Sequence, residues 1–103
     1  MSKPAKLLLR WDINGDKESE YFEFMVSEFI PAINRLGIND IQAWYTLYGA
    51  CEQIMFSGVA DSSEQMHHIL LSESWQNLKE RLISLVVNYD QKVIGNARSG
   101  FQI

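Results

Sequence analysis

Residues 40–59, DIQAWYTLYGACEQIMFSGV, leave this chain one simple local solution, a β-hairpin. At its tip stands Tyr48-Gly49-Ala50-Cys51. A glycine at the first central position is what a two-residue type II′ turn requires, because that position has positive φ. The turn fixes a register in which Tyr48 faces Cys51, Thr46 faces Gln53, Tyr45 faces Ile54, Trp44 faces Met55, Ala43 faces Phe56 and Gln42 faces Ser57. Alternation across the strands then sorts two surfaces. Ile41, Ala43, Tyr45, Leu47, Ile54 and Phe56 make a core face. Gln42, Trp44, Thr46, Tyr48, Cys51, Gln53 and Met55 make a mixed one, too aromatic for a solvated face and too polar for one under helices. A second copy of the same sheet fits that second surface.

The chain has 103 residues, the size of a single domain, and residues 1–103 are read as one domain with no internal boundary or repeat. Its one cysteine, Cys51, excludes an intrachain disulfide and suits a reducing compartment, so the expected location is cytoplasmic. Leu7, Leu8 and Leu9 are too short an apolar run for a signal peptide or membrane span. A net charge of −4 argues against nucleic acid or an anionic membrane as partner, since binding phosphate takes a basic surface.

Taken in order, Lys6 to Ile13 alternates as a strand, with Leu7, Leu9, Trp11 and Ile13 on the core side and Leu8, Arg10 and Asp12 opposite. Asn14-Gly15 is a turn, and Asp16 is placed to cap a helix whose stripe is Phe22, Met25, Val26, Phe29, Ile30, Ile33 and Leu36, stopped by Gly37. Pro31 predicts a kink or break near Phe29 to Pro31. After the hairpin, Asp61-Ser62-Ser63-Glu64 reads as a capping box with Asp61 at its head, opening a helix from Glu64 to Leu71. Ser72 or Ser74 caps the next helix, with the stripe Trp75, Leu78, Leu82, Leu85 and Val86. Tyr89 to Ala97 reads as a fourth strand. The tail carries Phe101 and Ile103, apolar residues suited to an arm laid on another strand or subunit.

That order is βαββαβ, an α+β arrangement in which right-handed crossovers put every helix on one face of an antiparallel sheet. The Trp44 face is left bare, and a twofold mate is the expected cover, with Arg10, Trp44, Thr46, Tyr48, Gln53 and Met55 as interface residues. The whole chain resembles the dimeric α+β barrel (ferredoxin-like) superfamily. Three features carry the resemblance: the element order, the helix end Pro31-Ala32-Ile33 to Leu36-Gly37, and the two-helix segment Asp61-Ser62-Ser63-Glu64-Gln65-Met66 to Leu71-Ser72-Glu73-Ser74-Trp75. The superfamily includes antibiotic-biosynthesis monooxygenases, haem-degrading monooxygenases and muconolactone-isomerase-type enzymes. In the haem-degrading branch the resemblance implies a histidine a few residues after the aromatic. Asn77, Leu78 and Lys79 stand there instead, so no haem and no other cofactor is expected.

The candidate pocket, between sheet and helices, is Trp11, Tyr45, Phe56, His67, His68 and Trp75. His67 and His68 are adjacent on a helix, about 100° apart, and cannot share a metal from one face, so no metal site is expected. On aromatics alone the pocket reading competes with plain core packing. For Arg10 and Asp12 an ion pair across the interface is the expected role. The resulting functional reading is a homodimer taking a small organic ligand under its helices. The alternative is a cofactor-independent monooxygenase or isomerase acting on an aromatic or polyketide-like substrate. An RNA-recognition module shares the strand order, but the third strand lacks that module's basic-Gly-aromatic pattern and the chain is acidic.

Overall fold

The structure is a computed structural model that describes residues 3–48 and 51–95. Four strands, β1 (Ala5–Ile13), β2 (Asn39–Tyr48), β3 (Cys51–Ala60) and β4 (Val86–Ile94), form one antiparallel sheet in the order β2-β3-β1-β4. Helices α1 (Glu18–Phe24), α2 (Ile30–Leu36), α3 (Ser63–Leu71) and α4 (Glu73–Leu85) lie on one side of it. No helix among the described residues is long and apolar enough to cross a membrane.

β1 is a central strand, and its burial alternates as the sequence predicts: Ala5, Leu7, Leu9, Trp11 and Ile13 are buried on the helix side. The hairpin register is the expected one at every pair from Gln42↔Ser57 to Tyr48↔Cys51, while its tip, Gly49 and Ala50, lies outside the described residues. Sidedness holds for Ile54 and Phe56, which are buried, but Ala43, Tyr45 and Leu47 are exposed. β2 is the outer strand, with a neighbour on one side only, so sharing the helix-side face does not shelter its far end.

Between α1 and α2 the helix passes through a π turn, Met25–Phe29, in which the Ile30 N–H donates to the Met25 carbonyl. Pro31 sits in the first turn of α2, where its missing N–H is harmless. The interruption therefore precedes the proline, and helical dihedrals continue through Ile30. The wide turn brings Phe29 against Phe24, ring centroids 5.8 Å apart. The inward stripe is Tyr21, Phe24, Met25, Phe29 and Ile33, whereas Phe22 and Val26, expected inside, are exposed. The predicted stripe is thus one residue out of phase over α1. Gly37 ends α2 at φ +115°, and the Ile38 N–H reaches the Ile33 carbonyl at 3.0 Å, burying Ile38 fully.

Caps differ from expectation by small steps. Asn14, not Asp16, accepts the first turn's N–H, in a short 3-10 segment (Gly15–Lys17) ahead of α1. At α3 the box is displaced by one residue: Ser62 Oγ accepts from the Gln65 N–H at 3.0 Å, and Gln65 Oε1 accepts from the Asp61 N–H at 3.1 Å. Ser72 is the cap of α4, accepting from the Trp75 N–H while its own hydroxyl donates to the Ile69 carbonyl of α3. The fourth strand starts three residues before the expected Tyr89, because α4 runs straight into it at Val86. Of its expected end, Asn96 and Ala97, together with the Phe101 and Ile103 tail, lie outside the described residues.

Two register shifts bend the sheet, between Asn39 and Gln42 on β2 and opposite Arg10 to Asp12 on β4. Each holds a left-handed residue, Asp40 (φ 52°) and Asn88 (φ 57°), residue types that tolerate that region. On β3, Gly58 makes room for Ile38, whose side chain a Cβ there would strike. Gly58→Ala is expected to lower unfolding free energy by about 1–3 kcal/mol in urea titration through this overpacking, with the fold retained.

Candidate functional site

Two surfaces stand out, one closed and one open. Under the helices, β1 and β3 supply Trp11 and Phe56, the π turn supplies Phe29, and the first turn of α4 supplies Trp75. Their rings form a connected chain: Trp11 to Phe56 6.0 Å, Phe56 to Phe29 5.7 Å, Phe29 to Trp75 6.0 Å. Tyr89 stacks on Trp11 at 6.3 Å, and Tyr21 meets Trp11 edge-on at 6.2 Å. Of the six pocket candidates, the structure brings together Trp11, Phe56 and Trp75. Tyr45 is half exposed on β2, and His67 and His68 are exposed on α3, whose buried residues are Met66 and Ile69.

Phe29, Tyr21 and Tyr89 belong to the cluster, although none of them is among the six pocket candidates of the sequence. Phe29 was legible as an inward residue; Tyr21 lay one position off the stripe, and Tyr89 was hidden by the weak periodicity of β4.

The two buried indoles differ in their polar atom. Trp11 Nε1 donates to the Tyr21 hydroxyl at 2.9 Å. Trp75 Nε1 is buried and has no acceptor among the described residues. Burial pushes the Tyr21 phenol up to about 12, opposed in part by the Trp11 N–H. Tyr89, whose hydroxyl donates to Gln91 Oε1 at 2.8 Å, is raised too, by burial first and then by the Asp90 carboxylate. Among the described residues no group of three or more His, Cys, Asp or Glu side chains is placed to hold a metal.

The open surface is the sheet's other face. Register aligns its side chains in rows across the strands: Gln42–Ser57–Leu8–Lys92, then Trp44–Met55–Arg10–Asp90, then Thr46–Gln53–Asp12. Trp44 is 49% exposed. Arg10 pairs with Asp90 of its own chain at 3.3 Å. Asp12 accepts instead from Gln53 Nε2 at 3.4 Å and from Asn88 Nδ2 at 2.7 Å, so the β4 bulge is tied to β1 through the residue that carries it. A concavity of about 230 Å³ opens on this face, lined by Leu8, Leu9, Arg10, Met55, Asp90 and Lys92.

A β2-β3-β1-β4 antiparallel sheet with helices on one side is a ferredoxin-like α+β fold. Solved structures of that fold match nearly the whole chain. A hydroxynitrile lyase from Passiflora edulis superposes with a TM-score of 0.77 at 5% identity, covering 99% of this chain and 100% of its own. SnoaB, a cofactor-independent oxygenase from Streptomyces nogalater, gives 0.73 at 8% identity over 95% and 97%. A NIPSNAP-family protein from Agrobacterium tumefaciens gives 0.65 at 16% identity over 97% and 91%. At these identities the likeness is one of fold. No family model and no curated protein matches the sequence.

The buried hydroxyl of Tyr21 makes two expectations. Tyr21→Phe strands the Trp11 N–H and should cost about 1–3 kcal/mol in chemical denaturation at neutral pH. Because the folded phenol is raised from 10.0 to about 12, unfolded chains ionise first; stability is full below pH 10 and falls as pH rises through 12. Denaturation midpoints between those pH values should decline for the native chain and decline less for Tyr21→Phe.

Proposed function

We propose that the protein is a cytoplasmic homodimer that binds a small organic ligand between its sheet and its helices. The carrying observation is the Trp75 indole N–H, fully buried beside Phe29 and without an acceptor among the described residues. An unpaired buried donor costs about 1–3 kcal/mol, and a ligand oxygen placed against it recovers that. The aromatic walls suit a flat apolar body, so the ligand class is a small aromatic or conjugated carbonyl compound. The rings are in contact, so entry requires the helix layer to lift from the sheet.

Binding is favoured over catalysis on one observation. The ionisable groups found at the cluster are the Tyr21 and Tyr89 hydroxyls, and burial raises both, which keeps them neutral near pH 7 and poor proton acceptors. SnoaB and the hydroxynitrile lyase show that the fold accommodates enzymes, and their chemistry is carried by their own residues. The homodimer is supported by the bare, Trp44-bearing sheet face, and the cytoplasm by a single cysteine without a disulfide partner.

Thermal melts with a panel of aromatic carbonyl compounds test the reading. At least one member should raise the native midpoint, and Trp75→Phe should abolish that rise. The variant's own stability should change by less than about 2 kcal/mol, since lost ring volume is offset by removal of the unpaired donor. A panel with no effect on the native chain, or a Trp75→Phe chain with the full ligand response, would overturn the proposal.

A further inference from the structure

The helix layer is made of two units. α3 and α4 are bound to each other: the Ser72 hydroxyl donates to the Ile69 carbonyl, and Gln76 Nε2 donates to the Leu70 carbonyl at 2.8 Å. α1, the π turn and α2 follow one another without a break, tied to the sheet by the Tyr21–Trp11 bond and by Ile38 seated on Gly58. Among the described residues one polar link crosses between the two units, the ion pair of Arg81 on α4 with Glu28 of the π turn. Arg81 also lies over the Phe24 ring of α1, its guanidinium carbon 4.7 Å from the centroid. We propose that the helix layer parts at this seam to admit the ligand, that Arg81 is the latch that holds it shut, and that the ligand's ring enters between Phe29 and Trp75. The admission of a ligand rests on the reading above; the route, the latch and the seat are added to it.

The seam joins the surface to the unpaired donor. On its outer side a concavity of about 240 Å³ lies between α1 and α4, with buried Phe24 and Leu85 at its base and Arg81 and Glu28 exposed at its rim. On its inner side Phe29 of the π turn meets Trp75 of α4, ring centroids 6.0 Å apart. Phe24 links the two sides, 5.8 Å from Phe29. Glu28 and Phe29 are consecutive in the π turn, so a displacement of one carries the other. Parting α1 from α4 therefore draws Phe29 off Trp75 and opens a gap beside the indole N–H that has no acceptor among the described residues. A flat conjugated carbonyl compound fits that gap, its ring between the two aromatics and its oxygen accepting from Nε1.

The latch is weak enough to open. Its side chains are 55% and 48% exposed, and an ion pair so open to water holds little and is screened by salt. The contact with Phe24 adds a comparable amount. Losing both is expected to raise the population of the parted state about fivefold. Other partings break stronger polar ties: separating α3 from α4 loses two hydrogen bonds to carbonyls, and raising α1 and α2 from the sheet loses the Tyr21–Trp11 bond and uproots Ile38.

Hydrogen exchange of the Trp75 indole N–H, followed by NMR and assigned by its loss in Trp75→Phe, reads the seam without any ligand. In the native chain this proton should be less protected than the amides of β1, which open only with the sheet. Arg81→Ala, at an exposed helical position, should speed its exchange about fivefold, whereas Arg10→Ala, which breaks the ion pair on the opposite face, should leave it unchanged. Raising KCl to about 1 M should speed exchange in the native chain and not in Arg81→Ala, because the salt screens a pair that the variant lacks. For an aromatic carbonyl compound that raises the native melting midpoint, Arg81→Ala should speed association and dissociation by the same factor and leave the affinity unchanged, since the latch does not touch the seat. A panel without a binder would remove the ligand reading and leave the seam, which the exchange rates measure alone. A Trp75 proton as protected as the β1 amides, an exchange rate unmoved by Arg81→Ala, or a native rate insensitive to salt would overturn the inference and leave the ligand reading standing.

Discussion

β1 lies between β3 and β4, and its period-two pattern decides which side of the sheet the helices must cover. Ala5, Leu7, Leu9, Trp11 and Ile13 all point to that side, while Arg10 and Asp12 point away. A slip of one residue would exchange the sets and put a guanidinium and a carboxylate under the helix layer, at a cost of several kcal/mol. The pairings of β3 and β4 are read from this strand, so the rows on both faces follow from it.

The three tryptophans occupy three different physical situations. Trp11 is buried with its N–H satisfied by Tyr21, Trp75 is buried with its N–H unpaired among the described residues, and Trp44 stands half in solvent on the opposite face. The first is ordinary core. The second and third each leave something unpaired, a donor in one case and an apolar ring in the other, and it is on these two residues that the functional readings rest. The outer strand β2 adds exposed Tyr45 and Leu47 on its helix-side face, so that strand leaves apolar surface open on both faces.

The site is shaped by local irregularities more than by the regular elements. The π turn sets Phe29 between Phe56 and Trp75, and the bulge at Asn88 holds Asp12 while β4 shifts register. Such features are placed by packing, and relatives in fold at 5–16% identity are free to place others. That freedom is consistent with one frame carrying a lyase, an oxygenase and the ligand-binding role proposed for this chain.

The sequence alone determined the element order, the hairpin register and the inward face of β1. These depend on nearest-neighbour chemistry: a glycine turn, strict alternation, serines before helices, Gly37 at a helix end. Trp11, Phe56 and Trp75 were legible as inward aromatics, and Trp44 and Met55 as a surface apart. What only the tertiary structure decided is where those faces stop and which polar atoms find partners. Tyr45 shares its face with Phe56 yet is half exposed, because a strand's position in the sheet is not written in its alternation. The phase of α1 turned by one residue because the π turn satisfies the backbone around Pro31 in a register no period predicts. Trp75 Nε1 finds no acceptor among the described residues, and whether a donor is satisfied depends on atoms distant in the chain and close in space.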